Sequence, residues 1–217
     1  MEETFNPNAP AMMPANVDIR RNVRAQLKGH WTNVVLCTLV MLIISGVCSA
    51  VSGASQDAPL LGIVGTALTL LIATPLGFGY SVALLRHMHG EPDDDLVTRP
   101  FMAFKDYGRY LGTSLLMVLY IFLWMLLFII PGIIKGYSYA MTPYIMDEHP
   151  ELSADECIEA SKKMMAGSKW KLFLLDLGFI GWLILCVLTL GILTLWVQPW
   201  MECSHVKFYD ELKARQA

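Results

Sequence analysis

Three ionisable side chains lie inside apolar stretches of the sequence, where charged groups are rare and often functional. Asp176 lies in one such stretch, and Glu202 and His205 lie three residues apart in the next. Residues three apart share one face of a helix, and a charge at mid-bilayer costs about 2.5–3.5 kcal/mol. The pattern predicts that Asp176, Glu202 and His205 cluster and bind a proton, a cation or a ligand. The alternative is that they satisfy helix ends and basic neighbours such as Arg20.

Lys135 is a fourth candidate for a ligand or ion site. It follows the Pro131-Gly132 pair, which predicts a turn between two helices because proline removes a backbone donor. The sequence contains no G-x-S-x-G, P-loop or H-E-x-x-H motif. No catalytic residue, cofactor or metal site is therefore predicted, and a non-enzymatic role is favoured. Metal binding by His87 and His89 is the weaker alternative to a solvated loop.

Apolar residues dominate the segments that must hold these groups. Of the 217 residues, 55% are hydrophobic and 16% are charged. Uncharged runs at 34–51, 60–85 and 177–201 are each long enough to cross a hydrocarbon core of about 30 Å as a helix. The predicted fold class is therefore all-α, a polytopic integral membrane protein. A net charge of −3 gives no basic field for nucleic acid. Membrane lipids are the expected partners, with a protein partner or homo-oligomer left open.

The basic residues decide between four and six spans, because short cytoplasmic loops collect Lys and Arg. Six spans arranged as three hairpins, with both termini inside, place every basic residue except Lys135 on the cytoplasmic side. Residues 32–213 then form a single membrane domain. Its predicted spans are about 32–52, 60–85, 109–130, 132–147, 171–188 and 191–209.

Two amphipathic helices are predicted on the inner membrane surface. In residues 17–31 apolar side chains recur at four-residue steps and basic side chains lie around the other face of the helix. This pattern favours binding to anionic headgroups through Arg20, Arg21, Arg24 and Lys28. A cytoplasmic helix over about 153–167 begins with a Ser153–Glu156 capping box. Residues 1–16 are predicted to be a disordered tail with no cleaved signal peptide, and 214–217 a short C-terminal tail.

A short internal repeat accompanies the hairpins. Gly79-Tyr80-Ser81-Val82-Ala83 matches Gly136-Tyr137-Ser138-Tyr139-Ala140 at four of five places. Transporters are often built from such repeats, although small residues that let helices pack closely also explain the match.

Several strings carry a family resemblance. They are "IRRNVRAQLKGHW" at 19–31, Ile130-Pro131-Gly132, "YSYAMTPYI" at 137–145, "KWKLFLLDLGFIGW" at 169–182 and "FYDEL" at 208–212. As a set, over about residues 17–213, they resemble an uncharacterised family of bacterial membrane proteins, domain of unknown function 975. Relatives tend to have serine where this chain has Gly178, and tyrosine where it has Trp200. The resemblance implies a multi-pass protein of the bacterial cytoplasmic membrane and carries no established activity.

The leading functional interpretation is a non-enzymatic inner-membrane protein that binds or moves a lipid or small amphiphile, or assists an envelope system. The family is also distantly similar to the membrane domain of some glycerophosphodiester phosphodiesterases, which implies envelope lipid or polymer metabolism by analogy. One alternative is a membrane-embedded hydrolase or transferase that uses Asp176, Glu202 and His205. The other is an interaction subunit of a larger membrane complex.

Overall fold

The computed structural model describes residues 13–53, 59–92 and 95–215, and all regular structure in these residues is helical. The predicted tail at 1–16 and the end of the tail at 214–217 therefore lie largely outside the described residues. The described residues contain a π-helical turn at Thr69–Ala73 and a 3-10 helix at Arg99–Phe104. The α-helices are α1 (Asn16–Gln26), α2 (Trp31–Gly53), α3 (Pro59–Leu68), α4 (Thr74–Met88), α5 (Tyr107–Leu127), α6 (Ile129–Tyr139), α7 (Thr142–Glu148), α8 (Ala154–Met164), α9 (Lys169–Leu177), α10 (Ile180–Leu188) and α11 (Thr194–Ala214).

Four helical segments in the described residues are long and apolar enough to cross a membrane. They are Trp31–Val51, Gly62–Met88, Tyr107–Leu127 and Lys169–Leu188. The second joins α3 to α4 and the fourth joins α9 to α10. The protein is therefore an all-α chain with membrane-type helices. The segments predicted as the fourth and sixth spans, 132–147 and 191–209, are not among these four.

The segment 132–147 is broken into two helices. Helix α6 ends at Tyr139, and α7 begins at Thr142 with Pro143 in its first turn. Residues 142–146 of α7 are all buried in the protein. A helix that is apolar on every side suits a protein interior as well as lipid, and here the protein supplies the apolar surroundings.

The turn between α5 and α6 lies at Phe128, whose backbone is extended, and not at the predicted Pro131-Gly132 pair. Pro131 and Gly132 belong to the first turn of α6. Proline is tolerated there because the backbone N–H groups of a first helical turn have no intrahelical acceptor. Gly132 has a packing role, because a Cβ at this position would lie 3.0 Å from Cα of Met125.

We expect Gly132→Ala to destabilise the contact between α5 and α6. The added methyl meets the backbone of Met125, which cannot move aside as a flexible side chain can, and such overpacking costs about 1–3 kcal/mol. Gly136→Ala, in the same helix, is the matched control because nothing lies within 4 Å of its Cβ position. Thermal unfolding in detergent should show a lower midpoint for Gly132→Ala alone. Equal midpoints for the two variants would contradict the packing role.

Helix α8 is tied to α5 and α6. Both halves of the Ser153–Glu156 capping box are present at its N-terminus. The Tyr120 hydroxyl, well inside α5, donates to Asp155 Oδ1 at 2.9 Å. The hydrogen bond from Lys162 lowers the pKa of Glu159, and the charge of Lys135 acts in the same direction. Helix α6, which carries Lys135, packs against α8, although the sequence predicts Lys135 and α8 on opposite sides of the membrane.

The C-terminal half of α11 is held to the end of α7 by polar contacts. Glu148 Oε2 accepts hydrogen bonds from the Tyr209 hydroxyl and the Lys213 ammonium, each at 2.6 Å. Burial raises the pKa of Glu148, but the hydrogen bonds from Lys213 and Tyr209 outweigh it, so its pKa lies below the ordinary value of 4.5.

We expect the stabilising effect of Glu148 to disappear in acid. Because its pKa is lower in the folded than in the unfolded chain, the carboxylate contributes fully above pH 4.5 and less as the pH falls through its folded-state pKa. Glu148→Gln should therefore unfold more easily than the wild type at pH 7, and the difference should shrink towards pH 4. Thermal unfolding of both proteins over this pH range measures the difference. A pH-independent difference would contradict the charged contact.

Candidate functional site

Asp176 and His205 form a direct pair between α9 and α11. Asp176 Oδ1 lies 2.6 Å from His205 Nε2, and the two side chains are 25% and 19% exposed. A carboxylate at this distance orients the imidazole and stabilises its protonated form. The pair is therefore a candidate for proton exchange, and both of its side chains are partly exposed at the surface of the chain.

Glu202 lies one helical turn before His205 but faces a different helix. Its Oε2 is 3.4 Å from the Ser81 hydroxyl of α4, so Glu202 is not a third member of the Asp176–His205 hydrogen bond. Tyr137 lies beside Asp176. The two copies of the Gly-Tyr-Ser repeat therefore face the two acids, Ser81 at Glu202 and Tyr137 at Asp176. The structure brings the three predicted residues to one region as a pair and a separate neighbour.

The predicted basic candidates lie apart from this pair. The Lys135 ammonium lies 4.4 Å from the centre of the Trp124 ring, at the junction with α8. Arg20 donates to the Gly178 carbonyl and lies over the Phe179 ring, so it does not pair with Asp176. Arg21 forms a 3.8 Å ion pair with Asp18 on the exposed side of α1. Lys28 is exposed just beyond the end of α1, which is consistent with a surface role.

An aromatic groove lies on the other side of α11, where α1, α2 and α10 approach it. Its volume is about 470 Å³. The Arg24 guanidinium lies 5.7 Å from the centre of the Trp200 ring, and the Trp182 ring meets Trp200 edge-on at 5.5 Å. Four indoles and two aliphatic side chains therefore form an apolar wall with one cation. The lining residues are Arg24, Trp31, Trp182, Leu193, Trp196, Val197 and Trp200.

The sequence profile of one protein family, described as Protein of unknown function (DUF975), matches residues 12–135 and 125–216 of the chain. The chain belongs to this family. Neither the curated proteins nor the solved structures give a significant match to this DUF975 chain.

Gly178 and Trp200 of this DUF975 chain both contact Arg20. The Gly178 carbonyl accepts from its guanidinium, and the Trp200 indole donates to the Arg20 carbonyl at 3.0 Å. A Cβ at Gly178 would collide with the guanidinium of Arg20. The glycine therefore makes room for Arg20, and the indole fastens α1 to α11 beside the groove.

Sequence reasoning missed the groove in this DUF975 chain because its lining comes from four helices. One local signal was present: Trp196 and Trp200 are four residues apart and so share a face of α11. The tryptophans alone are typical of membrane-interface anchors. Only the approach of α1 and α10 to that face turns them into the wall of a cavity.

Proposed function

We propose that this DUF975 protein is a non-enzymatic protein of the bacterial cytoplasmic membrane that binds a single-tailed anionic amphiphile. The observation that carries the proposal is the aromatic groove with Arg24 at its polar end. Its volume of about 470 Å³ falls within the range of ligand sites, about 300–1,000 Å³.

The chemistry of the groove supports an amphiphile over a uniformly polar or apolar ligand. Indole faces pack well against an acyl chain. Arg24 lies on α1, where it can donate a charge-assisted hydrogen bond to a carboxylate or phosphate head. Trp196, at the other end of the lining, is 43% exposed and so leaves its ring free for contact. The ligand's head therefore lies at Arg24 and its tail runs along α11 towards Leu193.

The proposed membrane arrangement has both termini in the cytoplasm and three helix pairs: α2 with α3–α4, α5 with α6, and α9–α10 with α11. The packing of α6, which carries Lys135, against α8 supports a re-entrant α5–α6 pair, in place of the two full spans predicted from the sequence. Beyond Tyr120, α5 extends only to Leu127, about 10 Å at helical rise. That is about a third of the hydrocarbon thickness, and all basic residues then face the cytoplasm.

Thiol labelling tests this arrangement. A cysteine at position 135 should react with a membrane-impermeant maleimide from the cytoplasmic side only. Reaction from the outer side would contradict the re-entrant pair and support the two full spans predicted from the sequence.

Saturable binding of a radiolabelled long-chain fatty acid to the protein in phosphatidylcholine nanodiscs tests the function. We expect one site per chain, and Trp196→Ala should weaken binding at least about tenfold because it removes an aromatic wall. Arg24→Gln should weaken binding of the fatty acid but not of the matching uncharged alcohol. Trp170→Ala is the control, because Trp170 is 68% exposed and lies outside the groove.

Two outcomes would contradict the proposal. One is the absence of saturable fatty acid binding by the wild type. The other is an equal affinity of Trp196→Ala and Trp170→Ala, which would mean that the fatty acid binds elsewhere on the apolar surface.

A membrane-embedded hydrolase or transferase is the second candidate function, and the Asp176–His205 pair favours it because such pairs serve as general bases. Turnover of a lipid-phosphate substrate by the purified protein, abolished by His205→Gln, would support this function. Unchanged substrate over a long incubation would leave the pair with a binding or structural role.

A further inference from the structure

A second cavity, which shares no lining residue with the aromatic groove, lies between α4, the 3-10 helix, α5 and the end of α7. Its volume is about 290 Å³, and its lining contains four basic and two acidic side chains. It adjoins another cavity, and the two share the lining residues Arg86, Arg99, Met102 and Lys105. The charged residues that line the second cavity are Arg86, Arg99, Lys105, Asp106, Arg109 and Asp147.

The acidic residues neutralise only part of this positive charge. The Asp147 carboxylate compensates the charge of Arg86, which donates two hydrogen bonds to it, of 3.0 and 2.6 Å. Arg109 donates to backbone carbonyls. Asp106 is the other acid of the lining, and Glu91 lies 3.3 Å from Arg99, so Arg99, Lys105 and Arg109 together carry one positive charge more than these two carboxylates. A cavity with this balance favours an anion.

Arg99 supplies the observation that points to a ligand. Its side chain is only 10% exposed, and its Nη2 donates to the Pro92 carbonyl at 2.8 Å and lies 3.3 Å from Glu91. Its Nη1 is buried and has no hydrogen-bond acceptor among the described parts of the chain. A buried donor without an acceptor is costly, and an anion in the cavity would supply the acceptor.

We propose that the cavity lined by Arg99, Lys105 and Arg109 binds a phosphate group. Two guanidinium groups and an ammonium suit a tetrahedral anion that accepts several hydrogen bonds. The group belongs either to a lipid headgroup or to a soluble phosphate compound. Phe101, which lines the adjoining cavity, is 38% exposed, and aromatic rings of this kind are common at membrane interfaces.

Phosphate titration of the protein in phosphatidylcholine nanodiscs tests the site, with the unfolding midpoint and calorimetric binding as readouts. We expect inorganic phosphate to raise the midpoint and added sodium chloride to weaken the effect. Arg99→Gln should reduce the apparent affinity at least about tenfold, because it removes a charge-assisted hydrogen-bond donor. Arg215→Gln, an exposed arginine outside the cavity, should bind phosphate as the wild type does.

Nanodiscs that contain phosphatidic acid distinguish the two sources. If the ligand is a lipid headgroup, phosphatidic acid raises the midpoint without added phosphate and blocks the phosphate response. If the ligand is soluble, phosphatidic acid leaves the titration unchanged. Either result supports the phosphate site.

Two results would overturn the site: no response to either phosphate or phosphatidic acid, or a full response in Arg99→Gln. Lys105→Gln gives the same test at an exposed position if Arg99→Gln does not fold. The fatty acid site shares no lining residue with this cavity, so its success or failure is independent of this result.

Discussion

Arg109→Met should destabilise the protein by about 2–4 kcal/mol, because three backbone carbonyls lose a charge-assisted hydrogen bond at once. Arg109 Nη2 lies 2.9 Å from the Met146 carbonyl oxygen, 2.7 Å from that of His149 and 3.3 Å from that of Leu152. The Met146 carbonyl lies in the last turn of α7, where the C=O groups have no intrahelical donor, and the His149 and Leu152 carbonyls lie in the segment that follows. The arginine therefore connects the start of α5 to the loop that leads into α8.

Methionine approximately preserves the volume of the side chain, so the expected loss comes from hydrogen bonding and charge. Arg109→Lys should recover only part of the stability, because an ammonium cannot reach the three oxygens in the geometry of a guanidinium. Arg215→Met, at an exposed position, should have little effect. Proteolysis within residues 149–153 should increase in Arg109→Met. A normal midpoint and normal protease resistance would show that the loop holds without this contact.

The Asp176–His205 pair should show strong coupling in a double-mutant cycle. A charge-assisted hydrogen bond of 2.6 Å between partly buried groups contributes about 1.5–3 kcal/mol. Asp176→Asn and His205→Gln should each lower the unfolding midpoint, and the double variant should be little worse than either single one. The coupling energy, measured by unfolding in detergent, should be about 1–3 kcal/mol.

Glu202→Gln is the matched comparison for this pair. Among the described residues, Glu202 is hydrogen-bonded to the Ser81 hydroxyl over a long 3.4 Å, so its neutralisation should change stability much less. Additive effects of Asp176→Asn and His205→Gln would mean that the two side chains act independently. A larger effect of Glu202→Gln than of Asp176→Asn would contradict this account, because it would mean that Glu202, and not Asp176, makes the more stabilising contact.

The sequence predicted that Asp176, Glu202 and His205 lie near one another, but not that Glu202 has a partner separate from the Asp176–His205 pair. Spacing predicts Glu202 and His205 on one face of α11, whereas in the structure the two side chains meet different helices. Helix α11 packs against both α4 and α9, so Glu202 meets Ser81 of the former and His205 meets Asp176 of the latter. A three-residue spacing states which side chains share a face; the neighbouring helices decide which partner each one meets.

Hydropathy predicted the helical class well and the membrane spans less well. It measures how apolar a segment is, and it does not distinguish lipid from a protein interior. Tyr144 and Ile145 of α7 are apolar because they fill the core. Pro131 was similarly ambiguous, because proline is typical both of a turn and of the first turn of a helix. The groove and the Arg99 cavity depend on contacts between distant helices, which no local pattern contains.

Photo-crosslinking with a diazirine-bearing fatty acid, followed by peptide mapping, tests the proposed amphiphile site most directly. The proposal predicts adducts within residues 182–200 and 24–31 that an excess of unlabelled fatty acid removes and that Trp196→Ala reduces. The outer surface of α5 and α6 is the internal comparison, because it is apolar, exposed and outside the groove. Adducts spread evenly over both regions, with no effect of competitor or of Trp196→Ala, would contradict the proposal.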